Sequence, residues 1–237
     1  MCLIAFSYKH HPDYDLILAA NRDELLAGKD MEAGGTWLGI TKTGQFSALT
    51  NYRDPESHKQ DAPSRGHLPL EYLTDDIHPK EYLQKVRIKA SQYNGFNLLA
   101  GKPRSLYYIS NKTLNIEKIQ PGMHGISNHL LDTPWPKVEK ARSRLERITI
   151  EPDFSTDAIF EMLRDQTKAP SPLLPDTGVG MEKEKELSSI FIDMEQYGTR
   201  SSTVLLIDRD EHVTFEERYY NSGDNEIGER TFSFTIS

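Results

Sequence analysis

The chain has 237 residues, one cysteine and a formal charge of 28 − 36 = −8. A single Cys rules out an intrachain disulfide and a cysteine-built zinc site. The acidic balance, with no run of Lys and Arg, argues against a nucleic-acid-binding face. At this size roughly 70% of the unfolded surface is buried on folding, enough for one domain over residues 1–237 with a core that needs no staples. The longest apolar runs (3–6, 16–20 and 204–207) fall far short of the ~20 residues of a membrane helix. The start of the chain has no basic segment followed by a long apolar one, so no secretory signal is expected and the reading is cytoplasmic.

Residues 2–8 are apolar, β-branched and aromatic, and His10-His11-Pro12-Asp13 breaks the run. Residues 15–21 form a second such run, so the chain opens as a β-hairpin. Residues 37–41 and 45–51 flank Lys42-Thr43-Gly44 as a second hairpin, and the polar stretch 54–66 reads as a surface loop. Helical periodicity follows at 68–74 and at 80–90, the latter behind Pro79. Strands return at 97–100, 106–109, 114–119 and 124–128. Residues 136–148 give the clearest helix, with Val138, Ala141, Leu145 and Ile148 in one stripe, and 157–166 a second. Residues 168–186, with three prolines and two glycines, read as a long flexible loop. The end is β: 189–193, 202–208, 213–218 and 230–236. Helix pairs between groups of hairpin-linked strands, without alternating βα units, predict an α+β protein. One arrangement that fits is two sheets face to face with a helix pair outside each.

The lone cysteine is residue 2. Removal of Met1 would leave an α-amine, with a pKa of about 7.7–8.0, on the same residue as a thiol, so general base and nucleophile would share one residue. The competing reading is a small apolar residue in a buried first strand, since free Cys is among the most buried types. Polar clusters at other strand ends weigh toward chemistry. Asn21-Arg22-Asp23-Glu24 follows an apolar run. Strand alternation sets Asn21 and Asp23 on one face and Arg22 and Glu24 on the other. Asp23 is placed to orient the amine, or alternatively belongs to a solvated strand end with a local ion pair. Asn51, followed by Tyr52-Arg53, and Asn128 are candidate oxyanion donors or simple turn residues. Arg200 is a candidate cation to lower the thiol pKa or hold a carboxylate, or a surface charge. His10-His11 reads as a solvated turn, and no metal or covalent cofactor is expected.

Together, Met1-Cys2-Leu3-Ile4, Ala20-Asn21-Arg22-Asp23-Glu24, Trp37-Leu38-Gly39, Leu49-Thr50-Asn51-Tyr52-Arg53, Asn94-Gly95-Phe96-Asn97, Gly125-Ile126-Ser127-Asn128 and Tyr197-Gly198-Thr199-Arg200-Ser201-Ser202 resemble the NRDE family, whose eukaryotic members are called transport and Golgi organisation protein 2. That resemblance links the chain to Golgi organisation and secretion, to lipid and acyl-thioester metabolism and to haem. A more distant similarity is to N-terminal-nucleophile hydrolases of the penicillin V acylase and bile-salt hydrolase type. It implies a four-layer αββα sandwich of two mainly antiparallel sheets, with Cys2, Asp23, Asn51, Asn128 and Arg200 in catalytic positions. Asn21, Arg22, Arg53 and Trp37 lie in the same motifs and are expected to face the ligand. One departure concerns the arginine: those hydrolases carry it directly before Asn-x-Asp, where this chain has Ala20, and here it sits between, at Arg22. Two functions follow. One is an amidohydrolase or acyltransferase acting on an amide or acyl thioester. The other is a non-catalytic carrier of an acyl-CoA-like or haem-like ligand. Only the enzyme requires removal of Met1.

Overall fold

A computed structural model of the chain describes residues 2–25, 35–151, 153–221 and 225–237. They divide into two compact units. The first contains β1 (Cys2–Tyr8), β2 (Tyr14–Leu25), β8 (Gly122–Ile126), α3 (Pro136–Thr149), α4 (Thr156–Leu163), α5 (Met181–Glu186), β9 (Tyr197–Asp208), β10 (His212–Tyr220) and β11 (Glu226–Thr235). The second contains β3 (Leu38–Ile40), β4 (Phe46–Asn51), α1 (His67–Thr74), α2 (Pro79–Lys89), β5 (Phe96–Lys102), β6 (Ser105–Ser110) and β7 (Ile116–Lys118), joined by Asn128–Leu130.

The first unit is built on a six-stranded sheet in the order β11-β10-β9-β2-β1-β8, and the second on a five-stranded sheet in the order β3-β4-β5-β6-β7. Every pairing is antiparallel, so the class is α+β. Both expected hairpins are present, with Cys2 opposite Arg22 at the open end of the first.

Strand alternation sends Leu3, Ala5, Ile17, Ala19, Val204 and Leu206 to one face of the first sheet, where they meet Val138, Ala141 and Leu145 of α3 and Ile159, Phe160, Met162 and Leu163 of α4. In the second unit Leu49, Phe96, Leu98, Ala100 and Ile109 pack under Leu68 and Tyr72 of α1 and Tyr82, Leu83 and Val86 of α2. The residues between them, such as Ile4 and Phe6 in β1 or Ala48 and Leu99 in β4 and β5, are buried as well, whereas the edge strand β11 is exposed along most of its length.

Two expectations are corrected. Residues 189–193 are not a strand. Ile190, Phe191 and Ile192 are buried, but the segment makes only an isolated bridge, Asp193 to Gly198. Its backbone is satisfied singly instead: Phe191 N–H donates to the Asp165 carbonyl at 2.9 Å, and Ile192 N–H to Thr199 Oγ1 at 3.0 Å. Residues 168–186 are not one open loop. They hold a 3₁₀ turn, Ser171–Leu173, and α5, because Glu184 is buried and accepts from Thr177 N–H and Oγ1 at 2.9 and 2.5 Å. Among the described residues no helix is long and apolar enough to cross a membrane.

Candidate active site

In the first unit, Cys2 opens β1 and is only 7% exposed. Ser127 Oγ donates to the Cys2 carbonyl at 3.1 Å. Burial pushes the Cys2 thiol up from its ordinary value, and the Asp23 carboxylate adds to the rise, against a smaller lowering by Arg22.

Asp23 is 4% exposed, and its Oδ1 accepts from Thr199 Oγ1 at 2.7 Å. Burial pushes its carboxyl up, while Lys137, the Thr199 hydroxyl and Arg200 pull it back. A bulge creates this arrangement. Arg22 pairs with Ser201 but Asp23 pairs with Thr199, leaving Arg200 as the extra residue of β9. A bulge re-aims the side chains around it, here turning Thr199 to the acid.

Gly198 is required at the same place. A Cβ there would sit 2.7 Å from the Ile192 carbonyl, which accepts Thr199 N–H at 2.8 Å. Gly198→Ala is expected to push that carbonyl off Thr199 and cost about 1–3 kcal/mol by overpacking. Urea unfolding checks it, and a midpoint equal to the parent's would show that the bulge has room.

The other two members of the cluster are turned elsewhere. Arg22 pairs with Glu24 in a local ion pair at the strand end. Asn21 is fully buried and belongs to the scaffold: its Nδ2 donates to the carbonyls of Leu163 and Ile190 at 2.8 and 2.9 Å, and its Oδ1 accepts from Ser202 Oγ at 2.6 Å.

The second unit holds the remaining candidates. Asn51 ends β4, and its carbonyl accepts from Asn128 Nδ2 at 2.9 Å. Arg53 N–H donates to the Asn128 carbonyl at 2.8 Å, and its Nη2 lies 3.5 Å from Asn128 Oδ1. Asn51, Arg53 and Asn128 thus form one cluster, with Asn128 fully buried as its anchor. Trp37 precedes β3 and is half-buried, its carbonyl accepting from Leu49 N–H at 2.8 Å. Asn97, absent from the sequence-based candidates, ties this corner together. Its Nδ2 donates to Thr50 Oγ1 and the His129 carbonyl at 3.1 and 2.9 Å, and its Oδ1 accepts from Tyr108 Oη at 2.8 Å.

Lys137 was also missed. It is 3% exposed in the first turn of α3 and acts on Asp23. The signal was present: Lys137 is four and eight residues ahead of Ala141 and Leu145, on the apolar stripe itself.

These features define an α+β protein on two antiparallel sheets, with a buried thiol and a buried carboxylate at the open end of its first hairpin. The chain belongs to the transport and Golgi organisation 2 family, whose model matches residues 1–222. It is 36% identical to the human transport and Golgi organization protein 2 homolog over all of this chain and 99% of that protein. It is 28% identical to transport and Golgi organization protein 2 of Drosophila melanogaster over 92% of this chain and 91% of that one. A solved structure of Anbu from Hyphomicrobium sp. strain MC1 overlays 98% of this chain and 88% of its own with a TM-score of 0.44 and 13% identity, a likeness too weak to carry an argument.

Proposed function

We propose that the chain is an N-terminal-nucleophile acyl hydrolase or acyltransferase that uses Cys2 after loss of Met1. The observation that carries this reading is the lone thiol at residue 2, buried opposite Arg22 on β2, next to buried Asp23. In the reaction the Cys2 α-amine takes the thiol proton, and the sulfur attacks the acyl carbon of an amide or thioester. The tetrahedral oxyanion collapses, the amine returns the proton to the departing nitrogen or sulfur, and a thioester on Cys2 remains. Water, or another acceptor, then releases the acyl group by the reverse path. Asp23 holds the ammonium form of the amine. Arg200 holds an anionic group of the substrate. The reaction needs no cofactor, and a cytoplasmic site suits a thiol kept reduced.

One observation favours a second reading. Burial holds the thiol protonated, which suits a carrier for an acyl-CoA-like or haem-like ligand better than a ready nucleophile. The names of the relatives, which refer to transport and Golgi organisation, are compatible with such a role.

The two readings separate by intact-mass measurement of the Met1-processed chain incubated with acyl-CoA thioesters and N-acyl amides. The enzyme is expected to show an acyl adduct on Cys2 that turns over. Cys2→Ala should then lose turnover entirely with little change in melting temperature, and Cys2→Ser should lose most of it. Reversible binding of one panel member, with no adduct across the panel, would establish the carrier instead.

A further inference from the structure

β1 carries one residue that packing does not explain. Leu3, Ala5 and Ser7 alternate onto the same face, and the first two meet α3 in the core. Ser7 is only 2% exposed, yet its hydroxyl makes no hydrogen bond to any described residue. A buried hydroxyl without a partner destabilises a fold, where Ala or Val would not. The helix ends at Thr149, and Ser7 lines a cavity of about 340 Å³ beside that last turn. The cavity is also lined by His10, His11, Asp13, Glu146 and Ile150.

His11 is the second buried polar group there. It is 8% exposed, not the solvated turn residue that its sequence context suggests. Its ring stands edge-on to Tyr14 and Phe154, with centroids 5.1 and 5.8 Å away, and its carbonyl accepts from Arg209 Nη2 at 3.0 Å. The N–H of Asp13 donates to its Nδ1 at 3.0 Å. A neutral imidazole that accepts at Nδ1 carries its proton on Nε2, and no described residue takes that proton. The mouth of the cavity is acidic. Asp13 is exposed and pairs with no cation among the described residues, and Glu146 has only His10 Nε2 at 3.9 Å.

The floor therefore offers a donor and a hydroxyl, and the mouth offers two carboxylates. An anion would be repelled by those carboxylates. A metal ion finds no set of three ligands among the described residues. A wholly apolar molecule would leave Ser7 and His11 unpaired. A small molecule with oxygens at one end and an ammonium at the other satisfies both. We infer that this cavity binds a polyhydroxylated amine of the amino-alcohol class. A ligand hydroxyl accepts from His11 Nε2 and exchanges a hydrogen bond with Ser7, while the ammonium sits by Glu146 and Asp13. The volume is at the small end for ligand sites, which run from about 300 to 1,000 Å³. Ser7 lies opposite Ile17 towards the turn of the hairpin, roughly 16 Å along β1 from Cys2, so the inference does not rest on the proposed function.

The test is an NMR titration of the full chain with glucamine, read at the backbone amides of residues 7–13 and 146–150. Sorbitol is the same chain without the ammonium, and hexylamine has the same length without the hydroxyls. Glucamine should give saturable shifts in both segments, with an affinity at least about tenfold above either comparator, the size of one charge-assisted hydrogen bond. Ser7→Ala should weaken glucamine about tenfold while leaving the melting temperature unchanged or higher, because it removes a hydroxyl that has no partner in the fold. Glu146→Gln should weaken glucamine by a similar factor and leave sorbitol unaffected. The absence of saturable shifts at these amides overturns the inference. So does glucamine binding that survives Ser7→Ala or is matched by hexylamine, since the cavity would then be an acidic surface patch only. If Ser7→Ala lowers the melting temperature, His11→Phe decides, because it keeps the ring and loses the donor: a tenfold loss of glucamine supports the site, and unchanged binding overturns it.

Discussion

Asn21→Ala is expected to lower the unfolding free energy by about 3 kcal/mol, although the motif around it suggests a ligand contact. The side chain makes three hydrogen bonds, to the carbonyls of Leu163 and Ile190 and from Ser202 Oγ, and every one of them is buried. Each net bond is worth roughly 1 kcal/mol, and stranding a buried partner costs about 1–3 kcal/mol. Two carbonyls and a hydroxyl lose their partner together. The carbonyl of Leu163 ends α4 and that of Ile190 belongs to the non-strand segment before β9, so Asn21 is the pin that fixes both to β2. Asn21→Asp should do at least as much damage, because a carboxylate would face two carbonyl oxygens with no N–H to offer. Equilibrium urea unfolding measures both. A change under about 0.5 kcal/mol for Asn21→Ala, the size usual for an unremarkable surface substitution, would return Asn21 to the set of ligand contacts.

Much of the fold could be read from period alone. The hairpin of β1 and β2, the helix α3 and the strands of the second unit follow alternation or a 3.6-residue stripe, which depend only on neighbours in sequence. The failures share a cause. Residues 189–193 have strand composition but spend their backbone groups on Asp165 and Thr199, and no local pattern reveals those distant partners. Within 168–186, α5 is a single short helix held by buried Glu184, in a stretch where prolines and glycines dominate the composition.

The candidate site divides in the same way. Cys2 and Asp23 were visible because polar residues interrupt an apolar strand. Asn21 was placed on the same face as Asp23, but alternation does not tell a ligand-facing amide from one that bonds a helix end. Arg200 was visible as a charge and not as the extra residue of a bulge, because a bulge is a property of two strands in register. Lys137 was hidden behind its type: a lysine is assumed to be solvated unless its position on the helix is checked.

Phe160→Ala should be the most damaging single substitution in the first unit, costing about 3–5 kcal/mol. The ring is fully buried in α4 among Ile159, Met162 and Leu163, under the face of the sheet that carries Val204 and Leu206. α4 spans only Thr156–Leu163, too short to persist in water without the packing of its apolar face. Its exposed-side support is modest, a Ser155 side-chain cap that accepts from Ala158 N–H at 3.2 Å. Losing the ring therefore removes both the transfer free energy of a large aromatic and the anchor that keeps the helix formed. The carbonyl of Leu163 that receives Asn21 moves with it. The Arg218 guanidinium also stacks over this ring at 4.0 Å, a contact worth about 0.5–2 kcal/mol. Phe160→Leu separates the two contributions, since it keeps most of the volume and loses the π face, and should cost clearly less than Ala. Arg218→Met isolates the cation, although it also breaks the pair with Asp157. Urea unfolding of the three variants gives the ordering. If Phe160→Ala cost no more than Arg218→Met, the ring would be serving the guanidinium rather than the core.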